Sequence, residues 1–384
     1  MRPLLPLYAA GFVTAFGAHS IAASLGGFTG NQNLLTLGLL LAIYDGAEVL
    51  LKPVFGALAD RVGARPVLLG GLAAFAAASA AFVIAGDPAW VGLARFGQGA
   101  AAAAFSPAAS VLVSRLTPAA AQGRGFGRYG AWKGLGYTLG PVLGGVLIHL
   151  GGFSLLFCTL AVLATLIAVW ALAVLPAVAP LPRTRQTVAD LARRLTSPGF
   201  TRPTAALAAG TAALSVGVGF LPVVGADRGL GPLATGLVVS VLAAATSLVQ
   251  PRIGRLRDDG RIPDRAGMAV GLVLTGAGCV AVLLPGAGGL VVCALAIGVG
   301  VGVITPLGFA HLAATSPTER LGQTMGSAEV GRELGDAGGP LLVGGLAAAT
   351  ALAPALVVFG GLLAATAGLL GRQPRPRPPV GGPG

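Results

Sequence analysis

Long apolar runs, broken by short polar stretches, make up most of the chain. A helix needs about 20 apolar residues to cross a hydrocarbon core. By that measure the pattern predicts twelve spans, at residues 4–28, 33–57, 66–85, 89–114, 121–149, 152–176, 203–224, 231–254, 266–285, 288–314, 320–348 and 350–371. A Gly-rich stretch around 285–290 blurs the ninth into the tenth. Between the sixth and seventh, residues 179–202 turn polar, with APLPRTRQ followed by TVADLARRL, whose apolar positions recur at roughly helical spacing. That segment predicts a linker with a short helix, either interfacial or solvated. The expected organisation is an all-α integral membrane protein: a six-helix bundle over 1–178, the linker over 179–202, a second bundle over 203–371 and a tail over 372–384. Arg2 is followed by a full-length span, so nothing at the amino end reads as a cleaved signal.

Composition sharpens this picture. Only 10% of residues are charged and 55% are hydrophobic, whereas soluble domains carry about 25% charged residues. The net charge of +12 invites a nucleic-acid reading until the arginines are placed. Arg61, Arg65, Arg115, Arg124, Arg252, Arg255, Arg257, Arg261, Arg265 and Arg320 all lie at even-numbered connections, and Arg372, Arg375 and Arg377 lie in the tail. Among odd-numbered connections there is Arg228 alone. Positive charge marks the cytoplasmic side, so both termini are expected in the cytoplasm and the charge reports topology, not nucleic-acid binding. Two of the 25 basic residues are lysines, which suggests a GC-rich bacterial genome and hence an inner-membrane location. Cys158, Cys279 and Cys293 fall inside apolar spans without disulfide or metal spacing, and read as packing residues.

The two halves repeat. At an offset of about 199, Ser106-Pro107 meets Thr305-Pro306, Gly123, Gly127 and Gly136 meet Gly322, Gly326 and Gly335, and Gly140-Pro141 meets Gly339-Pro340. Lys133 falls on Arg332. Pro53, Gly56, Leu58 and Asp60 likewise match Pro251, Gly254, Leu256 and Asp258. Two parallel six-helix halves would be related by an axis along the membrane normal.

The fifth span holds the most specific signal, GRYGAWKGLGYTLGPVLGG from Gly127 to Gly145. Gly136, Gly140 and Gly144 recur every fourth residue and form a smooth stripe for another helix backbone. Pro141 lacks an amide donor and crowds the carbonyl of Tyr137, which predicts a kink. Gly127, Gly136, Gly140, Pro141, Gly144 and Gly145 together resemble the antiporter motif in the fifth helix of drug:proton antiporters of the major facilitator superfamily. The loop Gly56-Ala-Leu-Ala-Asp60-Arg61-Val-Gly63-Ala-Arg65 resembles that superfamily's signature between helices two and three, although Pro66 stands where a second basic residue is usual. The resemblance implies a latch: Asp60 facing the positive end of the eleventh helix near Gly322, holding the cytoplasmic side shut. Arg95 and Gln98 resemble the family's Arg-x-x-Gln-Gly motif, which assigns Arg95 to substrate contact or to tuning an acid; snorkelling toward the interface is the alternative.

Ionisable groups then nominate a site. The first span has His19 but no acid; the second carries Asp45, Glu48 and Lys52 on one face, and the eleventh carries Glu329, Arg332, Glu333 and Asp336. With Arg95 and Lys133 these make nine ionisable groups at membrane depth. Exposing them all to lipid would cost on the order of 20–30 kcal/mol, so they must face one another or water. Five acids against four bases leave one carboxylate over, and Asp45 or Glu333 is expected to titrate, with Glu48–Lys52 and the Arg332 cluster as gates. Interdomain salt bridges without a proton role are the competing reading. His19 and His311 lie on helices that line the cavity in the resembled family, as packing residues or as proton carriers.

The expectation is a proton-coupled exporter of small amphipathic molecules, acting by alternating access as a monomer in the bilayer. It would use no cofactor beyond the proton gradient. An importer of a small metabolite, symporter or uniporter, shares the fold. The chain has no His-Glu-x-x-His, Gly-x-Ser-x-Gly or phosphate-loop pattern, which leaves a membrane enzyme or a self-contained ATP-driven pump without support.

Overall fold

The computed structural model describes residues 4–28, 34–84, 87–178, 193 and 195–371. Among them run α1 (Leu5–Phe28), α2 (Leu34–Val62), α3 (Ala64–Ala81) and α4 (Pro88–Leu116). One continuous helical run, Gln122–Val174, loses helical torsions at Gly151 and Gly152. We number its parts α5 (122–150) and α6 (153–174). Then follow α7 (Pro198–Asp227), α8 (Pro232–Asp258), α9 (Asp264–Val280), α10 (Gly286–Thr315), α11 (Leu321–Ala349) and α12 (Leu352–Gly371).

The twelve predicted spans agree with these helices to within a few residues, and the departures have local causes. The 281–283 3-10 turn and Pro285 separate α9 from α10, which hydropathy alone blurred. Prolines fit the first turn of a helix, where no amide donor is needed, so α7 begins at Pro198 and takes over the end of the expected linker. The TVADLARRL helix expected before it falls almost wholly outside the described residues. Asp87 caps α4 by accepting from the amides of Ala89 and Trp90 at 2.9 and 3.1 Å. The signature expected as a loop is mostly helix. Only Gly63, at φ 97°, interrupts α2 and α3, and that left-handed torsion suits glycine.

Within the first half α1 packs on α5, α2 on α4, and α3 on α4 and the α5–α6 run; within the second α7 packs on α11, α8 on α10, and α9 on α10 and α12. The repeat is visible atom by atom. Gly99 lets α4 sit on the carbonyl of Tyr44 in α2, and Gly298 lets α10 sit on the carbonyl of Leu242 in α8. Interior prolines recur in register as well: Pro53 with Pro251, Pro107 with Pro306, Pro141 with Pro340. Two seams join the halves, α2 against α11 and α5 against α8.

The perimeter is apolar. Leu50, Val54, Ile84, Leu150, Val162 and Leu341 are each more than half exposed, as a surface solvated by hydrocarbon requires. Among the described residues, eight helical segments, one of them the fused α5–α6 run, are long and apolar enough to cross a membrane on composition alone. The helix α11 is not among these, because Glu329, Arg332, Glu333 and Asp336 lie along its length.

Candidate functional site

A cavity of about 450 Å³ lies between the bundles, walled by α1, α2, α4, α5, α7, α8, α10 and α11. Helical spacing delivers its chemistry in stripes. Asp45 and Glu48 come from α2, Tyr129, Lys133 and Tyr137 from α5, and Glu329, Arg332, Glu333 and Asp336 from α11. His19 joins from α1, its ring 4.3 Å from that of Tyr137 between centroids.

The charges are unevenly paired. Lys52 is 1% exposed and its ammonium donates to Glu48 and to Glu333 across the seam, with Glu329 at 3.9 Å. Tyr44 donates to the other oxygen of Glu48 at 2.9 Å. Arg332 donates to Glu329 at 3.3 Å and to the Thr211 hydroxyl at 3.2 Å. Asp336 accepts from Ser215. Asp45 lines the cavity with no hydrogen-bond or ion-pair partner among the described residues. Glu333, one of the two acids expected to titrate, is therefore bound to Lys52. Of the carboxylates lining the cavity, Asp45 and Asp336 have no cation in ion-pair contact among the described residues.

Toward the arginine-rich end the cavity closes. Phe126 of α5 stacks on Phe309 of α10 with centroids 5.8 Å apart. Beyond them both seams close backbone to backbone. At α2–α11, Asp60 accepts from the amides of Gly322 and Gln323 at 2.7 and 2.8 Å, and Gly56 meets the carbonyl of Gly322 with no room for a side chain. At α5–α8, Asp258 accepts from the amides of Gly123 and Arg124, both at 2.8 Å, and from the Arg124 guanidinium at 3.1 Å, while Gly254 meets the carbonyl of Gly123. Each carboxylate sits on the free amides at a helix start, where the dipole favours an anion.

Family comparison agrees with this architecture. The model of the Major Facilitator Superfamily matches residues 7–259 and 204–384. The chain belongs to that superfamily. It is a multi-pass membrane protein with the fold of that superfamily. It is 34% identical over 132 residues to the inner membrane transport protein YajR of Escherichia coli K12, a match over 34% of this chain and 28% of that protein. To the class E tetracycline resistance protein of Escherichia coli it is 36% identical over 127 residues, 33% of this chain and 31% of that one. The chain thus spans less than a third of the length of these relatives. The Escherichia coli fucose:proton symporter FucP superposes with a TM-score of 0.80 at 14% identity, over 97% of this chain and 99% of that one, which speaks to the fold.

Placed in this facilitator, several expected site residues take other positions. Gln98 is fully buried and donates to Ser79 at 3.2 Å, away from the cavity. His311 is also outside it, with Nδ1 3.1 Å from Asp264, which in turn binds Arg257 at 2.9 Å near the arginine-rich end. Both lie on inward-reaching helices, but the turn of the helix aims them at neighbours in their own bundle. Arg95 is 2% exposed and lies 4.5 Å over the Tyr44 ring, so it faces a partner and does not snorkel. Arg65 donates to the Leu172 carbonyl at 2.6 Å, tying α3 to α6, while Arg61 is exposed.

The glycine motif divides between two neighbours. Gly136, Gly140 and Gly144 face α1 at Phe12, Phe16, His19 and Ser20, whereas Gly127 faces the Gln250 carbonyl of α8. Gly145 faces open space. Torsions stay helical through Pro141, and the departure comes at Gly151 and Gly152. Tyr129, Tyr137, Ser247 and Gln250 line the cavity but were not picked out from sequence. The first two could have been found as a spacing-of-four pair around Lys133.

Proposed function

We propose that the chain is a proton-coupled exporter of small amphipathic molecules, working by alternating access, with the arginine-rich end in the cytoplasm. The observation that carries this reading is a charged cavity sealed at one end by two matching carboxylate latches and lined by a carboxylate, Asp45, without a hydrogen-bond or ion-pair partner among the described residues. A cavity sealed at one end by latches that can part suits a carrier that exposes its site in turn to each face. Asp45 carries the exchanging proton, because a partly desolvated acid lacking a cation is the group whose protonation substrate can displace. The charge network at Lys52 then acts as a gate between α2 and α11. Similarity to the class E tetracycline resistance protein supports export.

Proteoliposomes with an imposed pH gradient, screened with a compound panel, test the direction: uphill substrate movement opposite to protons is expected. Co-movement with protons would make the protein an importer. In the same assay, Asp45→Asn abolishes proton-driven accumulation while substrate exchange at equal pH persists. Coupling that survives this substitution moves the proton site to Asp336 or His19.

A further inference from the structure

We propose that the α5 wall of the cavity is an anion subsite, in which Lys133 and Tyr129 hold the carboxylate of an amphipathic acid or zwitterion. The inference rests on the cavity being the substrate site, as proposed above, but not on the direction of transport or on its coupling.

Tyr129, Lys133 and Tyr137 stand four residues apart and share one face of α5, and all three line the cavity. Of the lysine and arginine side chains in the lining, Arg332 is bound to Glu329. Lys133 makes one hydrogen bond, to the Ser106 hydroxyl at 3.3 Å, and has no carboxylate in ion-pair contact among the described residues. Its ammonium lies 5.8 Å from the Tyr137 ring centroid, so an aromatic face covers one side. An ammonium has three donors, and the protein uses one.

Tyr129 supplies a second donor. The residue is 5% exposed and its hydroxyl has no hydrogen-bond partner among the described residues. Its ring is braced against α1, where a Cβ at Gly11 would lie 2.9 Å from the ring edge. A braced phenol and a singly bonded ammonium, both already out of bulk solvent, lose little further hydration or freedom when they close on an anion. A cation at membrane depth also gains most from a counterion brought by the ligand.

The opposite wall sets orientation. Asp45 and Asp336, on α2 and α11, have no cation in ion-pair contact among the described residues, so a second anionic group on the ligand is repelled there and a basic group is favoured. The subsite therefore takes a monoanion or zwitterion whose acid points to α5, and the volume of about 450 Å³ suits a drug-sized molecule.

Matched arylalkyl carboxylic acids and their methyl esters, some bearing an amine at the far end, test this by equilibrium binding to the purified full chain in nanodiscs. Acids are expected to bind on the order of tenfold to a hundredfold more tightly than their esters, the range of a charged hydrogen bond. Lys133→Gln removes that preference while ester binding persists, which shows the fold intact. Lys133→Arg retains it, and Tyr129→Phe weakens the acid several-fold more than the ester. Esters binding as well as acids, equal weakening of both by Lys133→Gln, or no binding by any member of the panel would overturn the subsite. Because the readout is binding at equilibrium, a failed export assay leaves it standing, and its own failure leaves proton-driven export of neutral or cationic compounds open.

Discussion

The two seams that join the halves are built alike at the arginine-rich end and differently at the depth of the cavity. At α2–α11 and at α5–α8 a carboxylate caps the start of the facing helix, and paired glycines bring the backbones together. Deeper in, α2–α11 is held by ions: Lys52 against Glu48 and Glu333. At the same depth α5–α8 holds neutral polar groups, with Gly130 under the Gln250 amide and Gly134 under the Ser247 hydroxyl. Tyr129, Ser247 and Gln250 each leave a buried oxygen there without a partner among the described residues. The ionic seam resists parting, because separation strands charge in a low dielectric. Parting the neutral seam lets water reach oxygens that the closed state leaves unsatisfied. Sequence duplication kept the latch and diverged in what lies behind it.

The likeness at the outer end is tested most severely by Gly56→Leu and Gly123→Leu. A side chain at either position runs into a carbonyl of the partner bundle, Gly322 or Gly254, and backbone cannot move aside as a flexible side chain can. Both variants should insert yet lose transport to background in proteoliposomes. Gly361→Leu, which meets nothing within 4 Å, should not. Activity in one of the two clashing variants would show that only one seam needs to close.

The difference at depth predicts the next largest effect. Lys52→Met leaves Glu48 and Glu333 facing each other without the cation they share, while Glu329 keeps Arg332. Removing one member of a buried ionic cluster costs about 3–5 kcal/mol, so thermal or denaturant unfolding in detergent should show a loss of that order. If Lys52→Met unfolds like the wild type, the cluster is hydrated and the seams do not differ in kind.

Much of this is legible in the sequence. Hydropathy located the helices because a bilayer imposes a minimum apolar length, and offsets of 198 and 199 already aligned Asp60 with Asp258 and Gly123 with Gly322. What stayed hidden was rotation. Gln98 and His311 are on helices that reach the cavity, yet they face Ser79 and Asp264, because helix packing fixes which face turns inward. Partner choice was hidden too. Spacing put Glu333 beside Arg332, but its cation is Lys52, 281 positions away. Gly130 lies off the Gly136 stripe and so reads as an unconstrained glycine, but it is occupied by the Gln250 side chain of the other half.

Asp60→Asn and Asp258→Asn compare the latches directly. Each keeps size and polarity but removes a charge held by two backbone amides at a helix start. That contribution is about 1–2 kcal/mol, which moves the open-to-closed ratio at the arginine-rich end by roughly 5- to 30-fold. Distance distributions between spin labels across that end should shift toward open in both variants and by similar amounts. A shift confined to Asp60→Asn would mean that the second latch is structural only. In the double variant the effects should add, since the two sites share no side chain.

The smallest expected effect bears on the neutral seam. Ser247 is 2% exposed, its hydroxyl has no hydrogen-bond partner among the described residues, and it leaves no room for a Cβ at Gly134. A buried hydroxyl without a partner costs about 1–3 kcal/mol relative to one that is satisfied. Ser247→Ala removes that oxygen, and the space it leaves beside Gly134 is smaller than a methyl group. Unlike Lys52→Met, it should leave stability unchanged or raise it by up to about 1 kcal/mol, because the relief exceeds the small packing loss. It should also favour the closed seam, slowing transport without weakening ligand binding, since opening no longer gains hydration of that oxygen. Destabilisation by Ser247→Ala would show that the hydroxyl is satisfied in solution. The two seams would then differ in charge alone, not in how readily they part.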